Sequence, residues 1–193
     1  MIERVIDMKK IPIGTKSFSR LIEGNYYFVD KTLMIQEFLE RGTDVTLITR
    51  PRRFGKTINM SMLSEFFDIT KDSKEIFKDT LIMKTPYASE INQYPTIFIS
   101  FADAKRDKMT VITTIKTQIQ NQWDKYDYVF ENLKGFKKSR YENLCNNLED
   151  YNTLDGINDA ISFLMEKLQS YYHKEVMVFI DEYDTPFVEA HTG

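Results

Sequence analysis

Apolar positions along the chain switch between two spacings. Unbroken, β-branched runs stand at Val45–Thr49, Thr96–Phe101 and Val176–Ile180. Each is short and rich in Val, Ile, Phe or Thr, which predicts a buried strand. Between them the apolar residues recur every three or four positions, which predicts helices. Ile58, Met62, Leu63, Phe66 and Phe67 mark one that ends near Asp68. Val111, Ile112, Ile115, Ile119 and Trp123 mark one over about 108–122, and Ile157, Ile161, Leu164 and Leu168 one over about 154–172.

Ahead of the first run, residues 8–16 read as extended, fixed by Pro12 and turned by Gly14. Ser17 predicts the cap of a short helix with Phe18, Leu21 and Ile22 on one face, ended by Gly24-Asn25. Asp30 predicts the cap of a helix over about 31–41 that turns Met34, Ile35, Phe38 and Leu39 inward and closes at Gly42. Residues 70–95 read as a polar connection with a helical patch at Ile76 and Phe77, and residues 124–154 show no clear period. Helix, strand, helix, strand, helices, strand is the order of an α/β domain with a mostly parallel sheet and right-handed crossovers. Ligands in such sheets gather at the carboxyl ends of the strands.

The junction after the first run carries the candidate chemistry. Arg50-Pro51-Arg52-Arg53-Phe54-Gly55-Lys56-Thr57 links the predicted strand to the predicted helix. Strand, tight loop, Gly-Lys-Thr and helix is the layout of a phosphate-binding P-loop. Backbone N–H groups of Arg53, Phe54, Gly55, Lys56 and Thr57, with the helix N-terminus behind them, are oriented donors for an anion. Lys56 would set a charge on the β- and γ-phosphates, and the Thr57 hydroxyl would ligate Mg²⁺. Arg50 stands where the strict pattern has glycine, and Pro51 biases it toward an extended backbone. The competing reading is a basic loop capping an ordinary helix. Arg52 and Arg53 either add charge at the loop rim or form structural ion pairs.

The third run ends in Asp181-Glu182. In P-loop nucleotidases a strand-end Asp holds the Mg²⁺. A Glu beside it can act as base on the water that attacks the γ-phosphate. These readings make Thr57 and Asp181 the metal ligands and Glu182 the catalytic residue, with Asp184 next in line as base. Solvated acids capping a strand are the plain alternative.

Ile11–Gly14, Asn25–Thr32, Thr49–Thr57 and Ile180–Pro186 together resemble the prokaryotic AAA-ATPase-like family, from about residue 8 onward. Arg-Pro-Arg-Arg-Phe-Gly-Lys-Thr is that family's P-loop, so Arg50 is no departure within it. The resemblance implies a P-loop NTPase-type three-layer αβα domain that binds ATP with Mg²⁺. Such domains are commonly followed by one resembling PD-(D/E)XK nucleases, through which any nucleic-acid partner would be engaged. Residues 1–193 then make the N-terminal portion of the ATPase domain, C-terminally incomplete, without later sensor strand, lid or nuclease-like domain. On that expectation the isolated chain is a weak ATPase. Its sheet either closes up by pairing Val45–Thr49 with Val176–Ile180 or keeps open strand edges.

Composition narrows the rest. A length of 193 residues, 42% apolar and 28% charged, fits one globular domain or most of one. A net charge of −3 gives no overall attraction to nucleic acid. Lys134, Lys137, Lys138 and Arg140 beside Phe136 and Tyr141 offer either a small nucleic-acid patch or a solvated helix face. Cys145, the one cysteine, fits a reducing cytoplasm and a packing role. His173 and His191 lack neighbours at metal-ligand spacing. Neither a signal-peptide core nor an apolar run of 18 residues is present. Tyr27 serves either as core packing or as an adenine stack, and Asp103 as a helix cap or a polar group at the strand end.

The expected function is Mg²⁺-dependent ATP binding and hydrolysis. A nucleotide-responsive interaction module or an inactive fragment would bind ATP with little turnover. A P-loop kinase fits less well, because the Asp181-Glu182 pair suits water activation.

Overall fold

The computed structural model describes residues 9–43, 45–47, 55–102 and 108–182. They divide between two compact units, Met1–Gln93 and Tyr94–Gly193.

In the first unit Ser17 caps α1 (Phe18–Glu23), its hydroxyl accepting from the Arg20 N–H at 3.4 Å. Phe18 and Leu21 are buried on the expected face. Helix α2 (Leu33–Arg41) closes at Gly42, which is left-handed at φ 54°. Its first turn departs from the predicted cap: the residue at its start is Thr32, and Asp30 has another task. The Asp30 carboxylate accepts from the Thr32 N–H (2.8 Å), the Thr32 hydroxyl (2.7 Å) and the Leu81 N–H (2.8 Å). Thr32 Oγ1 in turn accepts from the Ile82 N–H at 3.1 Å. A carboxylate has several lone pairs, so one side chain shapes the entry to α2 and ties it to the 3-10 turn Leu81–Lys84.

Helix α3 (Lys56–Phe67) is buried almost all round from Asn59 onward. This accounts for the weakness of its amphipathic signal, since a helix enclosed on every side has no polar face. Phe66 packs edge-on against Phe67 (5.3 Å) and Phe77 (5.2 Å), and Phe18 lies 4.9 Å from Phe77. Phe77 belongs to α4 (Lys74–Phe77). The polar connection after α3 is no loose linker. Asn92, left-handed at φ 55°, donates through Nδ2 to the carbonyls of Glu65 (3.2 Å) and Asp68 (2.9 Å) and accepts from the Ser73 N–H (2.8 Å). Helix ends leave carbonyls unsatisfied, and this amide, 24 residues away from Asp68, serves one of them.

Tyr27 is 60% exposed, which overturns core packing for it. Its neighbour Phe28 makes the core contact instead, 5.3 Å edge-on to Phe18. The predicted first strand also fails in its described part. Val45 and Leu47 are 85% and 64% exposed and lie in no strand. An extended run becomes a strand only by finding a ladder partner, and these residues have none among the described residues.

The second unit holds the sheet. Strands β1 (Thr96–Ser100) and β2 (Met177–Asp181) pair in parallel, with Thr96 opposite Met177 and Ser100 opposite Asp181. The sheet has two strands among the described residues, not three. Three helices connect them: α5 (Lys108–Lys125), α6 (Phe136–Glu149) and α7 (Ile157–Tyr172). Ile97, Ile99, Ile119, Trp123, Leu144, Leu148, Phe163 and Leu164 share its core.

The edge of β1 away from β2 is closed by side chains. Gln118 accepts from the Ser100 N–H at 2.8 Å and donates back to the Ser100 carbonyl. Gln122 accepts from the Phe98 N–H at 3.4 Å, and the Tyr126 hydroxyl bonds both the Thr96 N–H and its carbonyl. Positions 118, 122 and 126 recur every four residues, so one face of α5 and the turn after it runs along the strand and satisfies its open groups.

Lys116, also on α5, is fully buried, and its ammonium donates to the carbonyls of Asn147 and Asp150, both at 2.6 Å. A cation is favoured at a helix C-terminus, and α6 ends here. The basic cluster lies at the opposite end of α6, exposed. Arg140 pairs with Glu166 at 3.4 Å, and Lys138 with Glu142 at 3.9 Å. Cys145 is half-buried, and that burial raises its thiol pKa, as expected of a packing residue. Among the described residues no helix is long and apolar enough to cross a membrane.

Candidate nucleotide site

The two halves of the predicted site fall in different units. Gly55, Lys56 and Thr57 belong to the first; Asp181 and Glu182 belong to the second. Arg53 and Phe54 lie outside the described residues, as do Arg52, Asp103 and Asp184.

Gly55 sits at the N-cap of α3 with φ 74° and ψ 24°. Only glycine enters that region without strain. A Cβ there would meet nothing within 4 Å among the described residues, and the backbone torsion by itself calls for glycine. Glycine at the N-cap offers the helix no side-chain cap. Its first-turn N–H groups therefore point out of the helix as donors, reinforced by the helix dipole. Helices α6 and α7 also begin at glycines without side-chain caps, but neither continues with Lys-Thr. Lys56 and Thr57 are half-buried in the first turn. The chemistry available here is recognition of an anion by backbone donors, a cation and a hydroxyl.

One turn on stands a residue that neither motif nor spacing singles out. Asn59 is 3% exposed, and its Nδ2 has no hydrogen-bond acceptor among the described residues. A buried donor left unmatched costs about 1–3 kcal/mol. The signal in the sequence is faint: a polar residue three positions after Lys56, in a helix that also carries Ser61, Ser64 and Glu65.

The second half is the end of β2. Asp181 is 1% exposed, and its carbonyl accepts from the Phe101 N–H at 2.9 Å, which extends the ladder past Ser100. The chain then turns sharply, because Glu182 has φ 52°. A non-glycine residue held left-handed costs about 1–2 kcal/mol. Such strain persists only where the surroundings impose it, and it gathers at functional sites. Among the described residues no group of three or more His, Cys, Asp or Glu could enclose a metal ion.

A family model described as a predicted AAA-ATPase matches residues 12–193. The chain belongs to the AAA-ATPase-like family. Membership brings an ATPase-like, nucleotide-binding character to the chain. A stretch of 60 residues is 47% identical to a protein described as an uncharacterized protein in the vnfD 5' region of Azotobacter chroococcum mcd 1. That stretch covers 31% of this chain and 11% of the relative, so the match spans a small part of the longer protein. No solved structure matches the chain.

Proposed function

We propose that this AAA-ATPase-like chain binds ATP with Mg²⁺ through Gly55, Lys56 and Thr57 and that Asp181 and Glu182 serve its hydrolysis. The observation that carries the reading is Gly55-Lys56-Thr57 at the uncapped start of α3, with Gly55 left-handed, in a chain of this family. Arg53 and Phe54 would add backbone N–H donors to the same phosphates. The donor set suits magnesium, which prefers hard oxygen ligands and keeps several waters. Thr57 offers a hydroxyl and Asp181 a carboxylate. Two protein ligands with water and phosphate oxygens need no cluster of three acids. Bound magnesium supplies charge neutralisation for the phosphates. Lys56 holds phosphate oxygens, Thr57 and Asp181 orient the metal's side of the site, and Glu182 takes a proton from water.

The strain at Glu182 supports turnover over a module that only senses nucleotide, since sensing needs no base and no strained backbone to present one. A nuclease-like domain after this one, and nucleic acid as its partner, fit the family's usual arrangement.

Lys56→Ala removes a charge-assisted contact worth about 1.5–3 kcal/mol, a loss of roughly 10- to 150-fold in affinity. Titration of both proteins with a fluorescent ATP analogue and Mg²⁺ measures it. Equal dissociation constants would remove the assignment.

A further inference from the structure

We propose that Asn59 is a nucleotide-positioning residue, its side-chain amide held buried for an acceptor that arrives with the phosphates. The inference rests on the nucleotide reading of the α3 N-terminus. It begins from an imbalance. Buried polar side chains elsewhere in the same unit are matched: Thr32 bonds Asp30, Ser73 bonds Glu65, and Thr80 bonds the Phe77 carbonyl. Asn59 is as deeply placed, and its Nδ2 has no acceptor among the described residues.

Its position says what the missing acceptor is. The Asn59 N–H donates to the Gly55 carbonyl at 3.0 Å, which places the residue one helical turn after the glycine. Side chains on a helix lean toward its N-terminus, so the amide lies over the turn that begins at Gly55 and Lys56. That end of α3 already gathers uncapped N–H groups and a lysine. The buried Asn59 amide adds a further donor to that end, which matches a polyanion with many acceptor oxygens. A nucleoside triphosphate has them; a neutral or cationic ligand does not.

Two variants test this. Asn59→Leu keeps the branched shape without the N–H, and Asn59→Ala removes the amide while raising helix propensity. Each is melted without nucleotide and titrated with a fluorescent ATP analogue plus Mg²⁺, beside the parent and Lys56→Ala. The expected result is an unchanged or raised melting temperature in at least one variant, since an unmatched donor has been removed. Affinity should fall roughly 10- to 100-fold in both, the range for a lost hydrogen bond to a charged acceptor. A lower melting temperature in both variants without nucleotide would mean that the amide has a partner in the free chain, and the proposal fails. Parental affinity with stability kept would sink it too. If Lys56→Ala binds weakly while the Asn59 variants bind like the parent, only this inference falls. If Lys56→Ala also binds like the parent, the nucleotide reading falls and takes this one with it.

Discussion

Two glycines start helices with nearly the same backbone angle and different surroundings, so alanine at each separates torsional strain from crowding. Gly55 has φ 74°, and an added methyl group would meet nothing within 4 Å among the described residues; Gly156 has φ 78°, and a Cβ there would stand 2.7 Å from Asn147 Cβ. At Gly55 the left-handed backbone costs alanine about 1–2 kcal/mol, and the stiffer unfolded chain returns about 0.4–1 kcal/mol, leaving roughly 0–1.6 kcal/mol. At Gly156 the same torsional loss applies, and the clash is with a Cβ that cannot swing aside. Helix α6 must shift, which adds about 1–3 kcal/mol by the usual cost of overpacking. Gly156→Ala should therefore be the more damaging by at least about 1 kcal/mol. Amide hydrogen exchange along α3 and α7 reads each helix in its own unit. Fluorescence of Trp123, the only tryptophan and buried in the second unit, follows denaturant unfolding around Gly156. The reasoning is refuted if Gly55→Ala loses as much stability as Gly156→Ala. Its effect should fall on nucleotide affinity instead, because the methyl enters the space in front of the α3 donors.

Further outcomes follow from single side chains. Glu182→Gln should bind nucleotide like the parent while phosphate release slows by about 10²–10⁴-fold, the usual contribution of a positioned base; parental turnover would pass the role to another residue. Lys116→Met keeps the aliphatic stem but leaves the carbonyls of Asn147 and Asp150 without their donor, so Trp123-monitored unfolding should show a loss of about 2–4 kcal/mol. The Glu166 carboxyl is held below its ordinary value of 4.5, chiefly by the hydrogen bond from Lys167. A depressed carboxyl stabilises the fold above its unfolded pKa, and that contribution is lost as pH falls through the lower folded value. Stability should thus decline on acidification below about pH 5, and Glu166→Gln should flatten the decline in denaturant midpoints measured across that range.

Local rules carried much of this chain. The Ser17 cap, the Gly42 stop, the end of α3 at Asp68 and the three long helices depend on neighbours within a turn or two, and all but α6 are legible from residue type and spacing. So is the Gly55-Lys56-Thr57 start of α3, where a left-handed glycine is needed whatever lies around it. Strand identity was legible only where pairing followed. Thr96–Ser100 and Met177–Asp181 find each other, whereas Val45 and Leu47, equally apolar, lie exposed outside any ladder. Composition gives a strand its preference, but a partner across the ladder makes it one. Long-range matches were invisible for the same reason. Gln118 and Gln122 close an edge of β1, Lys116 is buried against the end of α6, and Asn92 secures α3. Each polar group is placed by an acceptor or donor 18 or more residues away, and no window of sequence contains both ends of such a bond. Asn59 belongs with them from the other side, as a buried donor whose match is absent among the described residues, a condition that only burial in the folded chain could reveal.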